Sequence, residues 1–303
     1  VKTYDCIIVG GGIAGLSAAI MLGRYKHNVL VIDKMNGRST LCRSYHNLLG
    51  WPDGVSGQTL RTLGREHAEK YGVKFLKKLA AKVEKQGKDF LIETDDRSIY
   101  KTKKLLIATG VTDRIPEVLS EIKHCLGISV YVCPDCDGYE VDGKSVIVMG
   151  AGKAGAKLAL SLTYWTKDIQ YVNHDGEEIN AALKNELSNK NIEYIKERLT
   201  KVMRDSEWFK GVELESGRRL FADRGFLGFG GNRVHSDLAA QLGAERLENK
   251  HLVIHARTKE TSVQNVWAAG DVAAHSEQAA IAMGDGIQAA IWIHKRLLEE
   301  QRT

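Results

Sequence analysis

Proline is nearly missing from this sequence, with 3 in 303 residues against 30 glycines. That balance excludes a proline-rich linker or a disordered chain and points to compact α/β segments joined by glycine turns. Cysteine is also scarce. Five cysteines in a chain this long are too few for a secreted disulfide framework. One close pair plus scattered singles reads as a redox-active pair in a reducing, cytoplasmic compartment. No basic run or basic–aromatic stripe accompanies the net charge of +5, so nucleic acid is not expected as a partner. A weakly basic surface still suits an acidic protein. No low-complexity segment and no short-period repeat is visible. The single long apolar stretch, Cys6 to Gly23, is cut by Gly10, Gly11 and Gly12 and has neither a charged leader nor a small-residue cleavage site. No membrane span or export signal is expected from it. What remains, 43% hydrophobic and 27% charged residues, is the composition of a globular protein large enough for two domains.

The order of elements is informative. Tyr4 to Val9 is an apolar, β-branched run and predicts a strand. The loop Gly10-Gly11-Gly12-Ile13-Ala14-Gly15 follows, then a helix to about Arg24. A second strand, Val29 to Ile32, ends at Asp33. This is a βαβ unit. Leu60 to Tyr71 reads as helix, and Lys104 to Ala108 as a strand ending in Thr109-Gly110. The pattern then restarts: strand Ser145 to Met149, loop Gly150-Ala151-Gly152-Lys153-Ala154-Gly155, helix to about Thr166, strand Ile169 to Val172. Near the end, a short strand, Asn265 to Ala269, leads into Gly270-Asp271, and a long helix begins near Ser276. The fold class is therefore α/β, with two Rossmann-like dinucleotide-binding domains.

In such a loop the first glycine permits a tight turn, the second lets backbone approach a pyrophosphate, and the third lets helix pack on strand. Phosphates then rest on the helix N-terminus. In the first copy, Gly10, Gly12 and Gly15 hold these places, and Asp33 is placed to take ribose hydroxyls. The second copy keeps Gly150, Gly152 and Gly155. Its ribose end reads Asn173-His174-Asp175-Gly176-Glu177-Glu178, with no arginine for a 2′-phosphate and three carboxylates nearby. Losing two charge-assisted hydrogen bonds weakens binding roughly 10²–10⁴-fold. The alternative reading is a vestigial loop that holds no nucleotide.

The chemistry centres on Val132-Cys133-Pro134-Asp135-Cys136-Asp137-Gly138. Two cysteines separated by two residues can close a small ring, and such pairs often have a lowered thiol pKa and a potential suited to exchange. Asp137 is placed to carry protons to and from a thiolate. The rival reading, half of a zinc site, needs a second ligand pair. Cys6, Cys42 and Cys125 are singletons, so no metal is expected, and Cys6 reads as core. The pair Tyr164-Trp165 reads as domain core.

Taken together, Gly10 to Gly15, Asp33, Ala108-Thr109-Gly110, the segment Cys133 to Gly138, and Val266-Trp267-Ala268-Ala269-Gly270-Asp271-Val272 resemble low-molecular-weight thioredoxin reductases. Gln278-Ala279 and Ala282 to Gly286 fit that family's last helix, and the likeness runs along nearly the whole chain. The resemblance implies an FAD domain made from residues 1–114 and 237–303, an inserted NAD(P)H-type domain, 115–236, carrying the cysteines, and a homodimer. In the family the inserted domain swings, so that its disulfide alternately faces flavin and protein substrate. Carried over, Gly10, Gly12, Ile13, Ala14 and Gly15 hold the FAD pyrophosphate and Asp33 the adenosine ribose. Asn47 stands beside the flavin and Val83 near the adenine, with Ala108, Thr109 and Gly110 also at the cofactor. Gly270 and Asp271 take the ribityl-phosphate region, and Glu277, Gln278 and Ala279 line the flavin. Cys136 takes electrons from the flavin, Cys133 attacks the partner disulfide, and Asp137 donates the proton.

Three departures qualify the resemblance. Lys153-Ala154 replaces an acidic residue and serine, Asn173-His174-Asp175 replaces the basic NADPH element, and Glu277 replaces an arginine. The expected function is electron transfer through FAD and Cys133–Cys136 to a thioredoxin-like protein, from a donor other than NADPH, ferredoxin being favoured. Two alternatives keep the enzyme class. One is a dithiol oxidase passing electrons to oxygen, which Cys136 to Glu140 also resembles. The other is an NAD(P)H-dependent reductase with an atypical nucleotide site. A non-catalytic redox-sensing flavoprotein is the reading from a different class.

Overall fold

The computed structural model describes residues 3–302. It is an α/β protein built on parallel sheets. The chain divides into two compact units. One comprises the N-terminal segment up to Thr40, Gly57–Thr112 and everything from Arg233 on. The other comprises Leu41–Ser56 and Asp113–Asn232.

The first unit begins with β1 (Thr3–Val9), α1 (Ile13–Arg24) and β2 (Val29–Ile32). Every residue of β2 is buried, as a parallel strand covered on both faces requires. Then come α2 (Gly57–Glu69), β3 (Lys74–Leu76), β4 (Ala80–Gln86), β5 (Asp89–Thr94), β6 (Ile99–Ile107) and the short β7 (Val111–Thr112). The sheet runs β3-β2-β1-β6-β5-β4. Strands β1, β2, β3 and β6 are parallel, while β4, β5 and β6 form an antiparallel meander.

The second unit holds β8 (Val130–Tyr131), the one-turn α3 (Pro134–Asp137), β9 (Val146–Gly150), α4 (Gly152–Leu162), β10 (Ile169–Asn173), α5 (Ala181–Asn189) and β11 (Glu193–Ile195). An antiparallel sheet of β12 (Leu199–Asp205), β13 (Trp208–Leu214) and β14 (Arg219–Phe221) precedes β15 (Arg224–Gly228). The main sheet, β11-β10-β9-β15-β8, is parallel throughout.

The chain re-enters the first unit through β16 (Arg233–Val234), which pairs antiparallel with β7. It then forms α6 (Asp237–Gln241), β17 (Val266–Ala268) and the long α7 (Ala279–Arg302). Strand β17 adds parallel to β6. Helix α7 crosses α1 so closely that a side chain at Gly286 would strike the Ala14 carbonyl. Only glycine permits that approach.

The observed division departs from the expected boundaries in two ways. The crossings fall after Thr112 and before Arg233, at the ends of the β7–β16 pair, and residues 41–56 group with the second unit. Leu41 packs on that unit's core. The Arg43 N–H donates to the Leu126 carbonyl at 3.0 Å, and its guanidinium pairs with Glu207. These contacts link residues far apart in sequence, so motif order could not reveal them. Among the described residues no helix is long and apolar enough to cross a membrane.

Candidate functional site

In the first unit, the turn from β1 into α1 is packed solid on one side and open on the other. Gly10 has φ +106°, and a side chain there would collide with the Ala108 carbonyl. A side chain at Gly15 would collide with the Gly10 carbonyl. Gly12, the N-cap of α1, faces free space, with nothing within 4 Å of a Cβ position and no side-chain cap. The first N–H groups of a helix have no partner within it. This loop is therefore a cradle with amide donors at its floor and room above, which fits a dinucleotide diphosphate. Ile13 and Ala14 continue that first turn.

Asp33, just past β2, sits against the loop: its Oδ2 lies 2.8 Å from a Cβ built on Gly11. The same oxygen accepts from Arg61 Nη2 at 2.6 Å. Arg61 is a buried residue of α2 that the sequence reading did not single out. A cation in a stretch read only as helix gives little sign that it turns inward.

The other expected cofactor residues of this unit follow. Thr109 Oγ1 donates to the His235 carbonyl at 2.5 Å, and the Gly110 carbonyl accepts the His235 N–H at 3.0 Å. Val83 is buried on β4, and its N–H donates to Gln241 Oε1 at 2.8 Å. After β17, Gly270 turns with φ +75°. Its N–H donates to buried Asp285 on α7 at 3.2 Å. Asp271 and Glu277 both meet Arg38, at 3.2 and 2.5 Å. Ala279 starts α7, and the carbonyl of Gln278 just before it accepts the Ala282 N–H. Asn47 is exposed and belongs to the 41–56 segment of the second unit.

The second glycine loop is built differently. The N–H of Gly152, the counterpart of Gly12, donates to Asn173 Oδ1 at 2.9 Å. Asn173 is fully buried at the end of β10, and its Nδ2 donates to the Glu177 carbonyl at 2.7 Å. The space that stands open at Gly12 is filled at Gly152, where a Cβ would strike the Glu177 carboxylate. Gly155 is pressed by the Tyr171 ring, and Gly150 by the Gly228 carbonyl. His174 Nδ1 accepts the Leu199 N–H at 2.9 Å, and burial lowers its pKa, so the ring is neutral near pH 7. Arg114 lies 2.5 Å from Asp175, and Lys184 and Lys196 pair with Glu178. Three cations near this loop, Arg114, Lys184 and Lys196, are thus paired with its own carboxylates.

Cys133 caps α3 with extended backbone, and Pro134 follows at the first helical position, where its missing N–H costs nothing. The N–H of Asp137 donates to the Cys133 carbonyl at 3.0 Å. Both cysteines are unlinked thiols of intermediate burial. The Cys133 thiol is held below its usual range, chiefly because the Cys136 thiol donates to it. Burial opposes this, the Cys136 N–H supports it, and Asp137 and Asp135 oppose it. Behind the pair, Gly138 packs on Trp165, whose ring lies 2.5 Å from a built Cβ. Trp165 is partly buried, but Tyr164 is 84% exposed, so the reading of both as core fails for Tyr164. An adjacent pair at the end of a helix points in different directions, and only one ring faces inward. Glu140, four residues after Cys136, stands 3.6 Å from His46. Cys6 is fully buried in β1 and its pKa is pushed far up. Among the described residues no cluster of three or more His, Cys, Asp or Glu could hold a metal.

Residues 4–286 match the family model described as pyridine nucleotide-disulphide oxidoreductase. The chain is 31% identical over 310 residues to the "34.2 kDa protein in rubredoxin operon" of Clostridium pasteurianum, covering 97% of each. It is 27% identical to the thioredoxin reductase of Helicobacter pylori, covering 95% of this chain and 96% of that one. The solved thioredoxin reductase of Giardia duodenalis superposes with a TM-score of 0.82 at 25% identity, over 99% of this chain and 100% of that one.

Proposed function

This chain belongs to the pyridine nucleotide-disulphide oxidoreductases, and from there we propose that it reduces a thioredoxin-like protein through Cys133 and Cys136 with electrons from a donor other than NADPH. It is a flavin-dependent oxidoreductase of thioredoxin-reductase type, and its cofactor is FAD. When bound, FAD supplies the relay that carries electrons from the donor to the cysteine pair. Gly10, Gly12 and Gly15, with Asp33, would hold its adenosine diphosphate part.

The observation that supports a donor other than NADPH is the self-filled second loop. The Glu177 carboxylate lies against Gly152, and a buried asparagine takes the Gly152 N–H. Both features repel or displace a dinucleotide. Ferredoxin is the favoured donor because an acidic iron–sulfur protein suits a chain of net charge +5.

The protein's own steps follow from the thiol chemistry. Cys133, held toward the thiolate, attacks one sulfur of the partner disulfide. A mixed disulfide forms, and the partner's S–S bond breaks. Cys136 then attacks Cys133 Sγ, which closes the Cys133–Cys136 disulfide and releases the partner as a dithiol. Asp137 is placed one residue away to deliver a proton to a leaving thiolate.

Anaerobic flavin titration tests the donor. We expect NADPH and NADH to leave the flavin absorbance unchanged and reduced ferredoxin to bleach it. Rapid stoichiometric bleaching by NADPH would overturn the reading of Asn173 and Glu177.

One observation favours a second reading. Glu140, on the turn that follows Cys136, stands 3.6 Å from His46, an acid–base pair of the kind that can take a thiol proton. In that reading a small dithiol is oxidised to its disulfide while oxygen is reduced to peroxide. Stoichiometric peroxide release with a dithiol in air, and no turnover with thioredoxin, would favour it.

A further inference from the structure

Two carboxylates of the first unit converge on one guanidinium. Arg38, in the 3₁₀ turn Arg38–Thr40, places Nη1 3.2 Å from Asp271 Oδ2 and 2.5 Å from Glu277 Oε2. The other Glu277 oxygen stands 3.3 Å from His251 Nε2. These side chains are only 15–28% exposed, so solvent screens them less than a surface pair. Asp271 lies in the turn after β17, and Glu277 stands two residues before α7 starts. Arg38 thus sets one positive charge against two carboxylates of that loop.

A flavin dinucleotide brings two more negative charges, on its diphosphate. We infer that Arg38 is the cation that lets the Asp271–Glu277 loop accept FAD, and that Glu277 positions its guanidinium. The inference rests on Asp271 facing the ribityl-phosphate end of the cofactor. The cation stands on the 3₁₀ turn after β2, and Glu277 is its acidic anchor.

The test is FAD affinity of the apoprotein, read by flavin fluorescence on reconstitution, beside the thermal midpoint of the same apoprotein. Arg38→Met should raise the FAD dissociation constant roughly 10- to 100-fold, the value of one charge-assisted contact. The apoprotein midpoint should fall by less, in free energy, than FAD binding does, because Arg38 is partly exposed. Arg38→Lys should recover most of the affinity, and Arg38→Glu should lose more than Arg38→Met. The exchange Arg38→Glu with Glu277→Arg keeps one cation in the loop and should bind FAD far better than Arg38→Glu alone. It also serves if Arg38→Met fails to fold.

Unchanged FAD affinity in Arg38→Met, or a loss matched by an equal loss of apoprotein stability, overturns the inference. Asp271→Asn separates the two levels. If it loosens FAD while Arg38→Met does not, the role of Arg38 fails alone. If neither variant changes affinity, the placement of Asp271 at the cofactor fails with it.

Discussion

Arg61 Nη2 lies 2.6 Å from Asp33 Oδ2, and the guanidinium is 4% exposed. This pair ties α2 to the end of β2 at the glycine loop, with Ser39 Oγ accepting a longer bond at 3.4 Å. Removing one member of a buried ion pair leaves the other charge unopposed, at a cost of about 3 kcal/mol. Arg61→Leu should therefore lower the urea midpoint of the apoprotein. Arg61→Leu with Asp33→Asn should recover part of the loss, because no lone carboxylate remains. A midpoint unchanged in Arg61→Leu would show that Asp33 does not depend on this partner.

Much of this unit was legible in the sequence because local rules suffice there. The stretch from Tyr4 through Asp33 reads as strand, loop, helix and strand from apolar runs and glycines alone, and each element forms within a residue or two. The meander of β4 and β5 was not legible. Strand β4, Ala80–Gln86, buries only Ala80 and Val83, so its pattern is that of a polar surface. Strand β12, Leu199–Asp205, escaped for a similar reason, since it buries only Leu199 and Val202. At the site, Gly12 and Gly152 look alike as letters and differ in what faces them. Asn173 and Glu177 close the second loop through contacts across 21 and 25 residues. Arg38 lay unnoticed because its partners, Asp271 and Glu277, come from the other end of the chain.

The thiol pair yields a reactivity prediction. Cys133 is held below the usual thiol range chiefly by the donated Cys136 thiol. In the reduced protein, iodoacetamide labelling of Cys133, followed by peptide mass, should rise with pH around a midpoint below that of a free thiol. Cys136→Ala removes the thiol donor and keeps the main-chain N–H. The midpoint should move up, and labelling at pH 7 should slow several-fold. An unmoved midpoint would mean that the neighbouring thiol does not hold the thiolate.

A second titration lies at Asp285. Its carboxylate, 5% exposed, stands 2.5 Å from His275 Nε2 and 2.9 Å from Lys259 Nζ, and also accepts the Gly270 N–H. Contact with Asp285 raises the His275 pKa above its ordinary 6.5, although burial and Lys259 pull it down. Burial pushes Asp285 up, but His275 and Lys259 outweigh it and leave its pKa lowered from 3.8. A raised histidine contributes stability that is complete below its unfolded value and is lost as pH climbs through the folded one. A lowered aspartate contributes stability that is present above its unfolded value and is lost as pH falls through the folded one. Both contributions hold together between about pH 4 and 6.5. The thermal midpoint of the protein should thus decline as pH rises from 6.5 toward 8.5, as His275 gives up its proton. His275→Gln, which cannot titrate, should lower the midpoint at pH 6 and flatten that decline. Melting curves across pH 5.5–8.5 for the two proteins decide it, and parallel slopes would remove His275 from the account.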